Sequence, residues 1–217
     1  MKPVPGFPCV YTNKWLILFV YVDDIVMAFH SSNAVLHRQF EQKLSEYYQL
    51  KQLGPLRWFL GIRVVRDIAA RKLWLLQDAY IDKVATKYGI ATTGRHTEVP
   101  IIVNHLEPSI EEPNATKTKL YQELVSHLAF LTQFTRPDLA RAHVIHASHL
   151  INPGQTHVQS IRKVWRYALE TRYYALKACT DKEIQEFITT EGDYRDPIFF
   201  RASNAVFTDD LEIRRSS

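Results

Sequence analysis

Cysteine is nearly absent from this chain of 217 residues: Cys9 and Cys179 are the only two, far apart and without metal-ligand spacing. That excludes a disulfide scaffold and a cysteine zinc site, and it suits reduced thiols of an intracellular protein that serve as small apolar packing residues. Long hydrophobic runs are missing too. The longest ends at Asp23, far short of the roughly 20 residues a spanning helix needs, so no membrane partner is expected. No secretory signal is expected, because Pro3, Pro5 and Pro8 interrupt any apolar helix after Met1 and Lys2. No internal repeat or low-complexity segment occurs. What remains is a composition 46% hydrophobic, ordinary for one large domain or two small ones. The formal net charge of +4 admits a nucleic-acid partner without requiring one.

The most informative residues present are Tyr21-Val22-Asp23-Asp24, which set two adjacent carboxylates between the apolar runs Trp15-Leu16-Ile17-Leu18-Phe19-Val20 and Ile25-Val26-Met27-Ala28-Phe29. Both runs are short, β-branched and aromatic, so they predict two antiparallel strands with the acids at the tip of a tight turn. Two carboxylates that close repel unless a cation or several N–H donors stand nearby. Mg²⁺ is a natural partner, since it takes oxygen ligands from one or two carboxylates and completes its shell with waters and substrate phosphates. An ordinary polar turn is the alternative. Against it, no Gly accompanies the acids, whereas two-residue hairpin turns favour Asn-Gly or Asp-Gly.

Tyr-X-Asp-Asp in an apolar hairpin resembles the signature of reverse transcriptases, and three downstream blocks resemble the Ty1/copia class of retrotransposon polymerases. The first is Gln52-Leu53-Gly54-Pro55-Leu56-Arg57-Trp58-Phe59-Leu60-Gly61-Ile62, and the second is Leu75-Leu76-Gln77-Asp78-Ala79-Tyr80-Ile81. The third is Tyr121-Gln122-Glu123-Leu124-Val125-Ser126-His127-Leu128, continuing to Thr135-Arg136-Pro137-Asp138-Leu139-Ala140. Their order and spacing fit that family from about Pro8 onwards. The resemblance implies Asp23 and Asp24 as catalytic Mg²⁺ ligands and Tyr21 and Val22 as the hairpin signature. It makes Trp58, Phe59, Leu60 and Gly61 candidates for gripping the primer, and an RNA/DNA hybrid the partner. Core packing is the alternative for Trp58 and Phe59.

The same resemblance implies a third carboxylate upstream of the hairpin, yet residues 1–22 contain no Asp and no Glu. Ser203-Asn204-Ala205-Val206-Phe207-Thr208-Asp209-Asp210 resembles the first strand of the family's ribonuclease H domain, with Asn204 where the family has Asp. Asn is a poor ligand for a catalytic Mg²⁺. The expected function is therefore a truncated remnant of an RNA-directed DNA polymerase, inactive alone. A nucleic-acid-binding or protein-interaction module, or a polymerase half completed by another chain, is the alternative.

The expected fold class is α+β: partial palm hairpins, a helical connection and a ribonuclease-H-like edge strand. Residues 1–90 form the palm and primer-grip region, 91–116 a linker, 117–178 the helical connection and 179–217 the ribonuclease-H-like start. Self-association through exposed sheet edges is expected of such a fragment. A helix capped by Ser32 or Asn33 follows the first hairpin, and a second hairpin precedes a helix from Asp78 to Tyr88 with Ile81, Val84 and Ala85 on one face. Helices are read over 119–134, 137–151 and 156–169. The last carries Arg162, Lys163 and Arg166 among Trp165, Tyr167, Tyr173 and Tyr174, which suits either a nucleic-acid backbone or a packed bundle. His143, His146 and His149 recur every third residue, but this spacing drifts around a helix and provides no partner at i+4 of the first.

Overall fold

The structure is a computed structural model, and it describes residues 1–70, 72–92, 99–103 and 105–178. The chain divides into two compact units, Met1–Leu56 and Arg57–Ser217. Both combine helices with an antiparallel sheet, so the class is α+β.

The first unit is a meander of four strands, β1 (Lys2–Val4), β2 (Phe7–Thr12), β3 (Leu16–Tyr21) and β4 (Asp24–Phe29), in the order β1-β2-β3-β4. Pro5-Gly6 turns the chain between β1 and β2, with Gly6 at φ 81°, where only glycine is unstrained. The β2–β3 turn rests on Asn13, whose Oδ1 accepts from the N–H groups of Trp15 and Leu16 at 2.9 and 2.8 Å. The apolar runs thus pair as the sequence predicts, and the prolines before them belong to a further hairpin, β1–β2. Cys9 lies exposed in β2, so it is not a packing residue. Helix α1 (Ala34–Tyr47) follows a 3₁₀ turn, Ser31–Asn33. Neither Ser32 nor Asn33 caps it through a side chain; the His30 ring accepts the Ser32 N–H instead. Phe40 meets Trp15 edge-on at 6.2 Å and His37 stacks on Phe29 at 4.0 Å, yet no residue of α1 is buried. Leu16 is the sole fully buried hydrophobic residue of this unit.

The second unit opens with β5 (Trp58–Phe59), β6 (Ile62–Asp67) and β7 (Lys72–Leu76). Helices α2 (Asp78–Lys87), α3 (Ala115–Phe134), α4 (Ala140–Ala147) and α5 (Gln155–Glu170) follow, and β8 (Leu176–Ala178) then pairs with β7 to complete the order β5-β6-β7-β8. The helices share one core. Ile81, Val84 and Ala85 of α2 meet Leu124, Leu128 and Leu131 of α3 and Ile161, Val164 and Trp165 of α5. Burying a Leu, Ile or Val side chain of this kind is worth about 1.5–3 kcal/mol. The second hairpin and α2 belong with the later helices.

Of the linker expected over 91–116, the described residues before Ala115 form no helix or strand, but they are fastened down. Glu111 Oε1 accepts the Gln155 N–H at 2.6 Å, its carbonyl accepts Asn152 Nδ2 at 3.1 Å, and its carboxylate pairs with Lys117 at 2.5 Å. A Cβ at Gly154 would stand 2.6 Å from Ser109 Oγ, so glycine is what lets this segment approach α5. Among the described residues no helix is long and apolar enough to cross a membrane. The ribonuclease-H-like strand, Asn204 and Cys179 lie outside the described residues.

Candidate functional site

The β3–β4 ladder runs from Leu16↔Phe29 to Tyr21↔Asp24, leaving Val22 and Asp23 as a two-residue turn. Asp23 therefore sits in the turn, while Asp24 begins β4 opposite Tyr21. The turn lacks glycine, and Val22 adopts φ 52° with its side chain 82% exposed. A β-branched residue in the left-handed region is strained, at a cost on the order of 1–3 kcal/mol. Both acids are exposed, so water can solvate their charge. The donor chemistry fits Mg²⁺ held through one or two carboxylates together with substrate phosphates, and not a cage built from protein alone. Among the described residues no group of three or more His, Cys, Asp or Glu side chains is placed to hold a metal ion.

The four primer-side residues fall in the other unit, at the β5–β6 hairpin. Phe59 pairs with Ile62, so Leu60-Gly61 is again a two-residue turn, with φ 50° and 79° as a type I′ turn requires. Trp58 is 49% exposed and Phe59 half-buried, so the Trp58 ring is partly presented to solvent. Arg63, directly opposite Trp58 in the ladder, lays its guanidinium 5.0 Å from the centroid of that ring. Arg63 Nη2 in turn donates to Asp78 Oδ2. Sequence reasoning missed both residues, because 15 positions separate them.

On α5, Lys163 is exposed and Arg162 and Arg166 are half-buried. Arg162 Nη1 donates to the Tyr88 carbonyl at 3.2 Å and Arg166 Nε to the Ala91 carbonyl at 3.3 Å, so both arginines bind carbonyls of the segment just after α2. The aromatic residues read beside them divide. Trp165 and Tyr167 are core residues, with Trp165 Nε1 donating to the Leu124 carbonyl at 3.1 Å, whereas Tyr173 and Tyr174 are exposed.

The histidine series is part of the packing. His146 is fully buried, its Nδ1 2.9 Å from the Tyr121 hydroxyl and its Nε2 3.3 Å from Ser160 Oγ. Burial, reinforced by His157, His149 and His143, pushes its pKa down to about 3. His157, on α5, meets the His149 ring at 4.5 Å in a tilted contact and is also held below the usual imidazole range, chiefly by burial.

A second polar cluster occupies the Thr135-Arg136-Pro137-Asp138 block. Arg136 is 1% exposed and makes a two-pronged pair with Asp138, Nε to Oδ1 at 2.9 Å and Nη2 to Oδ2 at 2.7 Å. Nη1 donates to the Thr171 carbonyl at 3.2 Å and Nη2 to Thr171 Oγ1 at 2.7 Å. This arginine ties the start of α4 to the end of α5.

Comparison with known proteins bears on the hairpin directly. A family model described as reverse transcriptase (RNA-dependent DNA polymerase) matches residues 4–103. The retrovirus-related Pol polyprotein from transposon TNT 1-94 of Nicotiana tabacum is 31% identical over 172 residues, covering 74% of this chain and 13% of that protein. A putative transposon Ty5-1 protein of Saccharomyces cerevisiae is 30% identical over 162 residues, 75% of this chain and 51% of that protein. An uncharacterised mitochondrial protein of Arabidopsis thaliana is 28% identical over 162 residues, 74% of this chain and 64% of its own length. The chain thus spans about half or less of the first two relatives. No solved structure matches. With the Tyr-X-Asp-Asp hairpin inside the matched segment, this chain carries a reverse transcriptase region of the copia type, related to the Pol polyproteins of retrotransposons.

Proposed function

We propose that this chain is a reverse-transcriptase module that binds an RNA/DNA hybrid and contributes two carboxylates of a polymerase metal site, without extending a primer by itself. The observation that carries this reading is the end of the β3–β4 hairpin, where Asp23 and Asp24 stand exposed at a two-residue turn. Asp23 and Asp24 would hold Mg²⁺ jointly with substrate phosphates. When bound, that metal stabilises the attacking and leaving oxygens of phosphoryl transfer. Residues 1–22 add no Asp or Glu to the set. Tyr21 shapes the hairpin against the nascent duplex, and Val22 forms its turn. Trp58, Phe59, Leu60 and Gly61 face the primer. Lys163, with the N–H groups that Arg162 and Arg166 have to spare, neutralises backbone phosphates. Asn204 is a degenerate ribonuclease H position.

A second reading, in which another polypeptide completes the polymerase, is favoured by the thin core of Met1–Leu56, where only Leu16 is fully buried among the hydrophobic residues. Primer extension on an RNA template with Mg²⁺ or Mn²⁺ separates the two. The wild type and the Asp23→Ala, Asp24→Ala variant are compared, each alone and with the upstream half of a copia-type polymerase supplied in trans. No extension by the protein alone is expected; extension only in trans, lost in the variant, selects the second reading. Extension by the wild type alone that disappears in the variant overturns the proposal. Hybrid binding is expected to weaken steeply with salt, and a flat salt response removes the nucleic-acid reading.

A further inference from the structure

The half-exposed Trp58 ring is held from one side by a short relay of charge. Arg63 faces it across the β5–β6 ladder, its guanidinium 5.0 Å from the ring centroid, and Arg63 Nη2 donates to the buried Asp78 Oδ2. Asp78 lies in the first turn of α2, where the helix dipole favours its negative charge. The side chain of Arg63 is 38% exposed, so it lies mostly covered between these two contacts. Arg63 Nε and Asp78 Oδ1 have no hydrogen-bond partner among the described residues, so the pair is joined through one prong where a two-pronged arginine–carboxylate pair was available. A single prong leaves the guanidinium turned towards Trp58 rather than locked flat against the carboxylate.

We propose that Asp78 is a positioning residue for Trp58, acting through Arg63: its carboxylate fixes the guanidinium, and the guanidinium fixes the indole. The inference rests on the reading of Trp58 as a primer-side residue, and it adds to that reading the group that sets where the indole stands. Gln77 and Asp78 follow β7 directly, so the strand end and the helix start deliver the carboxylate to the hairpin as one piece.

The test uses the whole chain labelled with 5-fluorotryptophan, whose four ¹⁹F signals (Trp15, Trp58, Trp74 and Trp165) are assigned by single Trp→Phe variants. Asp78→Asn is expected to shift the Trp58 signal and leave the other three in place. Affinity for a short primer–template hybrid should fall about twofold to fivefold, the scale of an exposed cation–π contact. Asp78→Glu, which keeps the charge, should restore the signal and the affinity in part. A Trp58 signal that stays put in Asp78→Asn overturns the proposal. If all four signals move, Arg63→Gln is read in the same way, and an unmoved Trp58 signal there is equally fatal. A shifted signal with unchanged affinity upholds the positioning and removes the primer-side reading of Trp58.

Discussion

Val22 shows how one residue can keep a costly conformation for the sake of a turn. Its φ of 52° places a β-branched side chain in the left-handed region, at the position where hairpin turns use glycine or asparagine. Val22→Gly is therefore expected to stabilise the protein by about 1 kcal/mol in urea unfolding, the relieved strain outweighing the added chain entropy of glycine. An unchanged or lower midpoint would mean that the turn carries no strain. Arg136 behaves in the opposite way. Its guanidinium is buried with Asp138 and Thr171 as partners, so Arg136→Ala leaves the Thr171 groups without their guanidinium donor and the Asp138 carboxylate with the Tyr167 hydroxyl as its remaining side-chain donor. The loss is expected to be about 1–3 kcal/mol by denaturant titration, since Asp138 stays partly solvated. At this scale the sequence was legible where the signal was local. Tyr21 to Asp24 stand out because charge interrupts two apolar runs, whereas nothing next to Arg136 in the chain marks Thr171 as its partner.

Among the elements, α4 and α5 make the protein sensitive to acid. His146, His149 and His157 are held below the usual imidazole range mainly by burial, so their charged forms are disfavoured in the fold. The carbonyl groups of Leu106 and Glu107, the Glu111 carboxylate and the Tyr121 hydroxyl are the groups that face them from neighbouring segments. Because the unfolded chain takes up these protons near pH 6.5 and the folded chain only at lower pH, their contribution is full above about pH 6.5 and is lost as the pH falls. Thermal melting is expected to show a falling midpoint between about pH 6.5 and 4.5, before most carboxylates titrate. A flat midpoint across that window would remove the histidines as the cause. The periodicity of three and four located α2, α3 and α5 within a few residues, since burial of one face is a local pattern. It left β8 inside a stretch read as wholly helical. A strand of three residues has no periodicity of its own, and Leu176–Ala178 is a strand only because β7 offers it an edge.

For the whole molecule, the two units differ in how much they bury. Apart from Leu16, every fully buried hydrophobic side chain lies in Arg57–Ser217, and the helices there share one cluster. Hydrogen exchange read by mass spectrometry is expected to show the slowest amides in α2, α3 and α5 and faster exchange across α1, which buries no residue. Equal protection in α1 and α3 would contradict that division. Leu128→Ala, which empties part of the shared cluster, should cost about 2–5 kcal/mol and lower the protection of α2, α3 and α5 together. The residues alone determined the paired acids between apolar runs, the family blocks in their order, the α+β class and the apolar faces of the helices. Each of these is a pattern over a few neighbouring positions, where chain geometry dictates the period. Only the tertiary structure decided that the second hairpin belongs with the helices, that β8 closes their sheet, and that Asp78 reaches Arg63 beside Trp58. Those outcomes depend on which distant groups bury one another, and burial between segments far apart in the chain leaves no period in the sequence to read.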